Sequence, residues 1–430
     1  MPIIASALRT KLWFPCIFLG FTTLAACKGT FDIRVSVETQ PPQSRLGKLA
    51  YITGGDLWTL DLDSENLTRL TRDGYNSSPK WSASGQHLAF LKRSQLWVVD
   101  MYAQKASQLD NTLIDWFAWS PNNDRLAYYS ESSGLVLYDA DDQTVVGLLE
   151  RSPEITQENF QWSADGQALF FNKGSIQADK YAVSLEKISL DQPGTVSLYT
   201  SDDMSNLPHL ALASPDGHWL AFWRWDTVTP SIEEQGLPMC MLSLQDHQSL
   251  CTGAQTLPFW GSIAWSSTGK VAFVTEDTNI TNPSSLVILD IETMTLQPIA
   301  AFGDHSLRYP AWSPDGSQIA VSAIRENGNS IQRTSAGGRR IWVIDAHAGH
   351  QIPFTKDPRY SDDLPLWSVD GGEILFARLS EDEASLWMMQ SNGSNLRQVV
   401  NELTPRPEPV GAYDYINWQA LWDWWRPEGQ

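Results

Sequence analysis

The chain has 430 residues, a formal net charge of −20, 20 tryptophans and four cysteines. So acidic a surface, with no basic stripe along it, repels nucleic acid and anionic headgroups and excludes a nucleic-acid binder. Long helical periodicity is absent, which excludes an α-solenoid.

Residues 1–26 read as a leader rather than as part of a folded domain. Arg9 and Lys11 give a basic start. A mostly apolar stretch from Leu12 to Ala26 follows, shorter than the ~20 residues a membrane-spanning helix needs. It ends Leu24-Ala25-Ala26-Cys27, which resembles a bacterial lipoprotein signal. That resemblance implies cleavage before Cys27, a lipid (palmitate among its acyl chains) on that cysteine, and an extracytoplasmic place in the cell envelope. Lys28 stands where an aspartate retention signal would be, which points to an outer membrane or the outer leaflet of a sole one. Loss of Arg9 and Lys11 with the leader takes the net charge to −22. Residues 27–47, with Gln40-Pro41-Pro42-Gln43-Ser44, read as a tether.

From Lys48 the pattern is one of short strands. Six times a tryptophan is followed by serine, a polar turn and an apolar strand: at Trp81, Trp119, Trp162, Trp265, Trp312 and Trp367. A seventh copy, Ala213-Ser214-Pro215-Asp216-Gly217, has alanine for tryptophan. The spacing is about 40–55 residues, the period of a propeller or an array. In the copy Trp312-Ser313-Pro314-Asp315-Gly316, proline pre-sets φ and glycine accepts positive φ, so a tight turn joins two strands. A third strand ending in Asp follows, as at Leu96–Asp100 and Ile341–Asp345, and then a more polar fourth. Four antiparallel strands per repeat is a propeller blade. The tryptophans read first as wedges between blades.

The fold expected is an all-β propeller over 48–420. Tyr413–Trp418 serves as a first strand that closes the blade begun at Lys48–Ile52 and removes two open edges. That gives eight blades, or seven if the irregular stretch 173–200 or 324–340 stands outside a regular blade. Residues 421–430 form a tryptophan-rich tail that caps the closing blade or offers an apolar surface. The Trp-Ser-Pro-Asp-Gly motif resembles TolB-type and related WD-like repeats of bacterial proteins over roughly 48–420, without the extra N-terminal α/β domain of TolB.

Cys240 and Cys251 flank a turn near Gln245-Asp246 and face each other if the hairpin loop has two residues. Either a disulfide, which export permits, or two buried thiols follows. No Gly-x-Ser-x-Gly elbow, His-Glu-x-x-His, P-loop or Cys-x-x-Cys is present, and no cofactor is expected. His209 and His305 precede innermost strands and are weak metal candidates against ordinary loop histidines. Loops at 224–237, 276–285 and 324–340 lengthen on one face. The binding candidates there are Tyr75, Trp116, Arg224, Trp225, Trp260, Arg308, Tyr309, Arg325, Arg333, Arg359 and Tyr360. The functional expectation is a lipid-anchored propeller that binds a protein or envelope polymer and catalyses nothing. The alternative is a carbohydrate lyase or glycosidase with its site at the channel.

Overall fold

The structure is a computed structural model. It describes residues 45–427 apart from 115, 153, 178–179, 193, 202–205, 226–235, 259–260, 276–284, 303–304, 326–337 and 408–415. Cys27, the leader and most of the tether lie outside the described residues.

Eight four-stranded antiparallel sheets form a propeller ring. Blades 2 to 8 follow one another along the chain, over 76–108, 117–149, 155–200, 207–256, 263–301, 305–353 and 361–403. The stretch 173–200 belongs to blade 4, whose two middle strands, Ala168–Gln177 and Lys180–Ser189, are the longest described. Blade 1 is composite. Its strands Lys48–Thr53, Asp56–Asp61 and Leu67–Arg69 come from the start of the ring. Its innermost strand is Trp422–Trp425, antiparallel to Lys48–Thr53 with Tyr51 opposite Trp422.

The closing strand therefore differs from the one expected. Trp418 lies in a short 3-10 helix, Trp418–Ala420, and the tail supplies the strand. The register explains why. In blades 2, 3 and 8 the repeated tryptophan faces the second residue of the apolar strand: Trp81 with Leu88, Trp119 with Leu126, Trp367 with Ile374. Trp424 faces Leu49 in the same way. It is the repeat tryptophan of blade 1, followed by Trp425 where the other copies have serine.

Each part of the motif has a structural task. In four of the six copies the indole Nε1–H donates to the carbonyl just before the tryptophan of the preceding blade, while the Nε1 atoms of Trp81 and Trp265 are buried without a partner among the described residues. Trp119 reaches Lys80 O (2.9 Å), Trp162 reaches Ala118 O (2.9 Å), Trp312 reaches Ala264 O (3.1 Å) and Trp367 reaches Ala311 O (3.0 Å). The ring fills the gap between sheets while its one polar atom satisfies a backbone acceptor. The serine ties the turn. Ser313 Oγ donates to Asp315 Oδ1 (2.6 Å) and accepts from Gln318 N (2.9 Å). Ser163 and Ser368 do the same in their blades. Gly316 completes that turn at φ +69°, where a side chain is disfavoured.

The alanine at position 213 leaves blade 5 without an indole to send to blade 4. There the buried Asn172 Nδ2 donates to Pro208 O (3.0 Å) instead, and the rings of Tyr199 and Phe222 lie 5.0 Å apart.

At the closing seam, Trp424 Nε1 donates to Leu46 O (2.7 Å) and Trp425 Nε1 to Ala83 O (2.9 Å). Trp81 N donates to Asp423 Oδ2 (2.8 Å), and Arg426 Nη1 donates to Trp367 O (3.0 Å). Lys48 Nζ lies 5.2 Å from the Trp425 ring. Blades 8, 1 and 2 are thus joined through four residues of one strand and the arginine after it.

Blades 2 and 3 carry a charged seam. The Asp124 carboxylate takes His87 Nδ1 (2.6 Å), Ser84 Oγ (2.6 Å) and Ser84 N (3.1 Å). Although burial works the other way, these bonds, His87 foremost, hold the Asp124 carboxyl down to about 2. The hydrogen bond to Asp124 raises His87 above its ordinary value.

Two outcomes follow. Trp312→Ala removes a wedge and its hydrogen bond, and should cost about 3–5 kcal/mol in denaturant unfolding. For the blade 2–3 seam, the Asp124 contribution is present above pH 3.8, its ordinary value, and is lost as pH falls toward 2. The His87 contribution is present below pH 6.5 and is lost as pH rises through its raised value. Melting temperature should therefore fall on both sides of a plateau from about pH 4 to 6.5. Asp124→Asn should flatten both flanks, and a pH series of melts on the two proteins checks this.

Candidate functional site

The innermost strands of blades 2, 7 and 8 share a bulge just ahead of the tryptophan. Ser78-Pro79, Tyr309-Pro310 and Leu364-Pro365 hold φ of +53°, +51° and +48° at the residue before proline. Pairing shifts there, between Ser77 and Lys80, Arg308 and Ala311, and Asp363 and Leu366. Proline cannot donate to the ladder, so a bulge is where it fits. The device redirects side chains toward the axis of the ring.

Tyr309 shows the result. Its strand is in blade 7, yet it belongs to the core cluster formed mainly by residues of blades 1, 2 and 8. Its Oη donates to Ile416 O (3.4 Å). A Cβ on Gly261, before blade 6, would lie 2.8 Å from its ring. Trp418 Nε1 donates to Asp363 Oδ2 (3.1 Å), and Ile52 N to Leu421 O (2.8 Å). Ile416 and Trp418 are buried. The segment 416–421 therefore lies along the inner edges of blades 7, 8 and 1 and narrows the axis there.

The seam between blades 7 and 8, beside this segment, is rich in arginine. Arg378 makes a two-pronged bond to Asp362, Nε to Oδ1 at 2.6 Å and Nη2 to Oδ2 at 3.0 Å, with both side chains buried. The Arg378 guanidinium is sandwiched by Tyr360 (4.6 Å) and Trp387 (4.5 Å). Ser322 Oγ donates to Asp362 O (2.9 Å). Arg340 Nη1 donates to the carbonyls of Arg339 (2.6 Å) and Tyr360 (2.7 Å). Burial pulls Arg340 below its ordinary value; Asp362 opposes that and Arg378 adds to it. Arg359 pairs with Asp357 through Nε (3.0 Å) and Nη2 (2.6 Å), which lowers the Asp357 carboxyl to about 2.

The binding candidates thus divide. Arg308, Tyr309, Arg359 and Tyr360 gather around blades 7 and 8, but Arg308 and Tyr309 are buried, not exposed: the bulge turns them inward. Tyr75 is exposed under the Arg93 guanidinium at 4.5 Å, on the blade 1–2 side. Arg224 and Trp225 end the second strand of blade 5, and Arg325 ends the second strand of blade 7. Trp116 precedes blade 3. Trp260 and Arg333 lie outside the described residues, as do most of the three long loops. Sequence reasoning missed Arg340, Asp362, Asp363 and Arg378, since Asp-Asp at a strand start and Arg at a strand end look like ordinary solvated charge.

His209 lies within the first strand of blade 5, burial holding its imidazole below the ordinary value. His305 opens blade 7 with Nδ1 2.7 Å from Phe302 O. Among the described residues no three His, Cys, Asp or Glu side chains are grouped to hold a metal. Cys240 and Cys251 face each other across the outer strands of blade 5 and are joined by a disulfide. Ser84, Asp124 and His87 have the residue types of a hydrolytic triad but not its wiring. The serine hydroxyl donates to the carboxylate, leaving no base at its oxygen.

No protein-family model matches the chain. Over 97 residues it is 30% identical to the uncharacterized peptidase YuxL of Bacillus subtilis, and over 112 residues 25% identical to dipeptidyl-peptidase 5 of Porphyromonas gingivalis. These matches cover 22% and 26% of the chain, and 14% of either relative. Among solved structures, dipeptidyl peptidase 4 of Porphyromonas gingivalis aligns at TM-score 0.60 and 12% identity, over 84% of this chain and 57% of that one. TolB of Acinetobacter baumannii aligns at 0.38 and 14% identity, over 76% and 67%. At such identities the structural likeness is one of fold. Both curated relatives are peptidases, and that finding overturns the expectation of a binding scaffold that catalyses nothing. The carbohydrate-enzyme alternative has a likeness of fold alone behind it: an oligogalacturonate lyase of Vibrio parahaemolyticus aligns at TM-score 0.51 and 12% identity, over 77% of this chain and 95% of that one.

Proposed function

We propose that the chain works in peptide hydrolysis, as the propeller of a peptidase. The observation behind this reading is the shared sequence with two peptidases, in a chain whose fold also matches a dipeptidyl peptidase structure. The blade 7–8 seam supports it chemically. Peptides present carbonyls, amides and carboxylates, and arginine and aspartate at a part-desolvated site can recognise each. Tyr360 and Arg359 stand among the strand-entry loops, on the face where segment 416–421 also lies, so a peptide bound there would sit beside that segment.

Purified full-length protein should cleave members of a quenched-fluorescent peptide library, tested alone and with the membrane fraction it is expressed in. Turnover of no peptide under either condition sinks the reading.

The proposal places the propeller outside the cytoplasm, held to a membrane by lipid on Cys27. The Cys240–Cys251 disulfide supports that setting, since such bonds persist in oxidising compartments. Metabolic labelling with a fatty-acid analogue should mark the wild type, and Cys27→Ser should abolish the label and release the protein from membranes. Equal labelling of both would refute the anchor.

A further inference from the structure

Blade 5 carries alanine at 213, so its seam with blade 4 lacks the indole bond found at four other seams. The same seam holds polar atoms with no partner. Asn172 is 3% exposed, and its Nδ2 donates to Pro208 O. That bond fixes the amide and leaves Oδ1 buried without a partner among the described residues. Arg224 Nε and Gln255 Oε1, on half-buried side chains, are buried and unpartnered too.

The strand register turns all three residues into one seam. Residues two apart on a strand share a face, and so do residues directly paired across strands. Phe170 of blade 4 and Phe222 of blade 5 belong to one core cluster, so they look at each other across the seam. Asn172 is two residues beyond Phe170, and Arg224 is two beyond Phe222. Cys240, on the third strand of blade 5, belongs to the same cluster. Pro238 stands two residues before it, and Gln255 of the fourth strand pairs with Pro238. The seam thus receives two unmet acceptors and one unmet cationic donor.

Their height in the seam is set as well. Leu169 faces Trp162 and Leu220 faces Ala213, so the two second strands align there. Arg224 then stands level with Lys173, one residue from the end of its strand, whereas the blade 4 hairpin runs on to Gln177. This is the strand-entry end of the seam, and the longer hairpin walls it on the blade 4 side.

We propose that this end of the blade 4–5 seam binds a peptide main chain. A peptide offers a carbonyl to Arg224 and N–H groups to Asn172 Oδ1 and Gln255 Oε1, the two kinds of partner the seam lacks. A buried polar group left unpaired is costly, and three on one seam mark a surface that a ligand completes. The choice of a peptide over a sugar, whose hydroxyls also donate and accept, rests on the peptidase reading.

Calorimetry on the full-length protein, with blocked peptides of neutral side chains, tests the subsite. Methylating single backbone nitrogens should abolish binding at one or two positions and spare it at the others. Arg224→Met and Gln255→Met should each weaken binding, the arginine change by roughly tenfold. Binding that no methyl group affects, affinity unchanged in both variants, or binding of no peptide, with or without binding of a neutral oligosaccharide, overturns the proposal. A second readout does not need the ligand. Each variant replaces an unpaired polar atom by an apolar group of similar size and should keep or raise the melting temperature. A marked fall in either means that the atom is already paired and refutes the proposal. Peptide binding without hydrolysis of any peptide would retire the peptidase reading and leave the subsite. Hydrolysis equal in the wild type and both variants would retire the subsite and leave the reading.

Discussion

The ring depends on one repeated contact, an indole N–H of one blade given to a backbone carbonyl of the blade before it. Radial sheets splay apart toward the outside and crowd near the axis, and only the inner strands approach closely. A flat, wide side chain fills that narrow gap, and its single donor meets an acceptor that would otherwise be buried and unsatisfied. Four seams keep the bond in the same geometry. Blade 5, with Ala213, cannot, and an asparagine and an aromatic pair take over its seam with blade 4.

Closure also uses indole donors, but in a different geometry: Trp424 gives its bond to Leu46 O just ahead of blade 1, and Trp425 to Ala83 O of blade 2. The last strand must join blade 1 to two neighbours that are not adjacent in sequence. Four residues, Trp422 to Trp425, pair with Lys48–Thr53 and reach toward blade 2, and Arg426 adds a bond to blade 8. Without that strand, Lys48–Thr53 would be an open edge. The approach to it, 416–421, runs along inner edges that the bulges at Tyr309 and Leu364 have shaped. Closing the ring and narrowing the axis are thus consequences of one stretch of chain.

The bulges also set the chemistry. They place Arg308 and Asp363 at matching positions of adjacent inner strands, directly before a residue of positive φ. Alternation then sends Asp362 and Asp363 to opposite faces. One neutralises Arg378 and the other anchors Trp418.

Sequence alone left eight blades or seven, of which the structure has eight, and determined the propeller and the turn chemistry. These rest on local rules: period-two apolar strands, Pro-Asp-Gly turns, and a wedge residue at a fixed place in each repeat. Trp424 was legible in principle, since it stands at the repeat position, but Trp425 in place of serine hid it and shifted the expected closure to Tyr413–Trp418. Only the tertiary structure decided that Arg308 and Tyr309 turn inward and that Asp362 and Asp363 part company. It alone left Arg308 Nη1 buried without a hydrogen-bond acceptor among the described residues. The physical reason is that burial and charge pairing depend on which strands become neighbours around the ring, and residues 340, 360, 362 and 378 meet only once the sheets stand side by side.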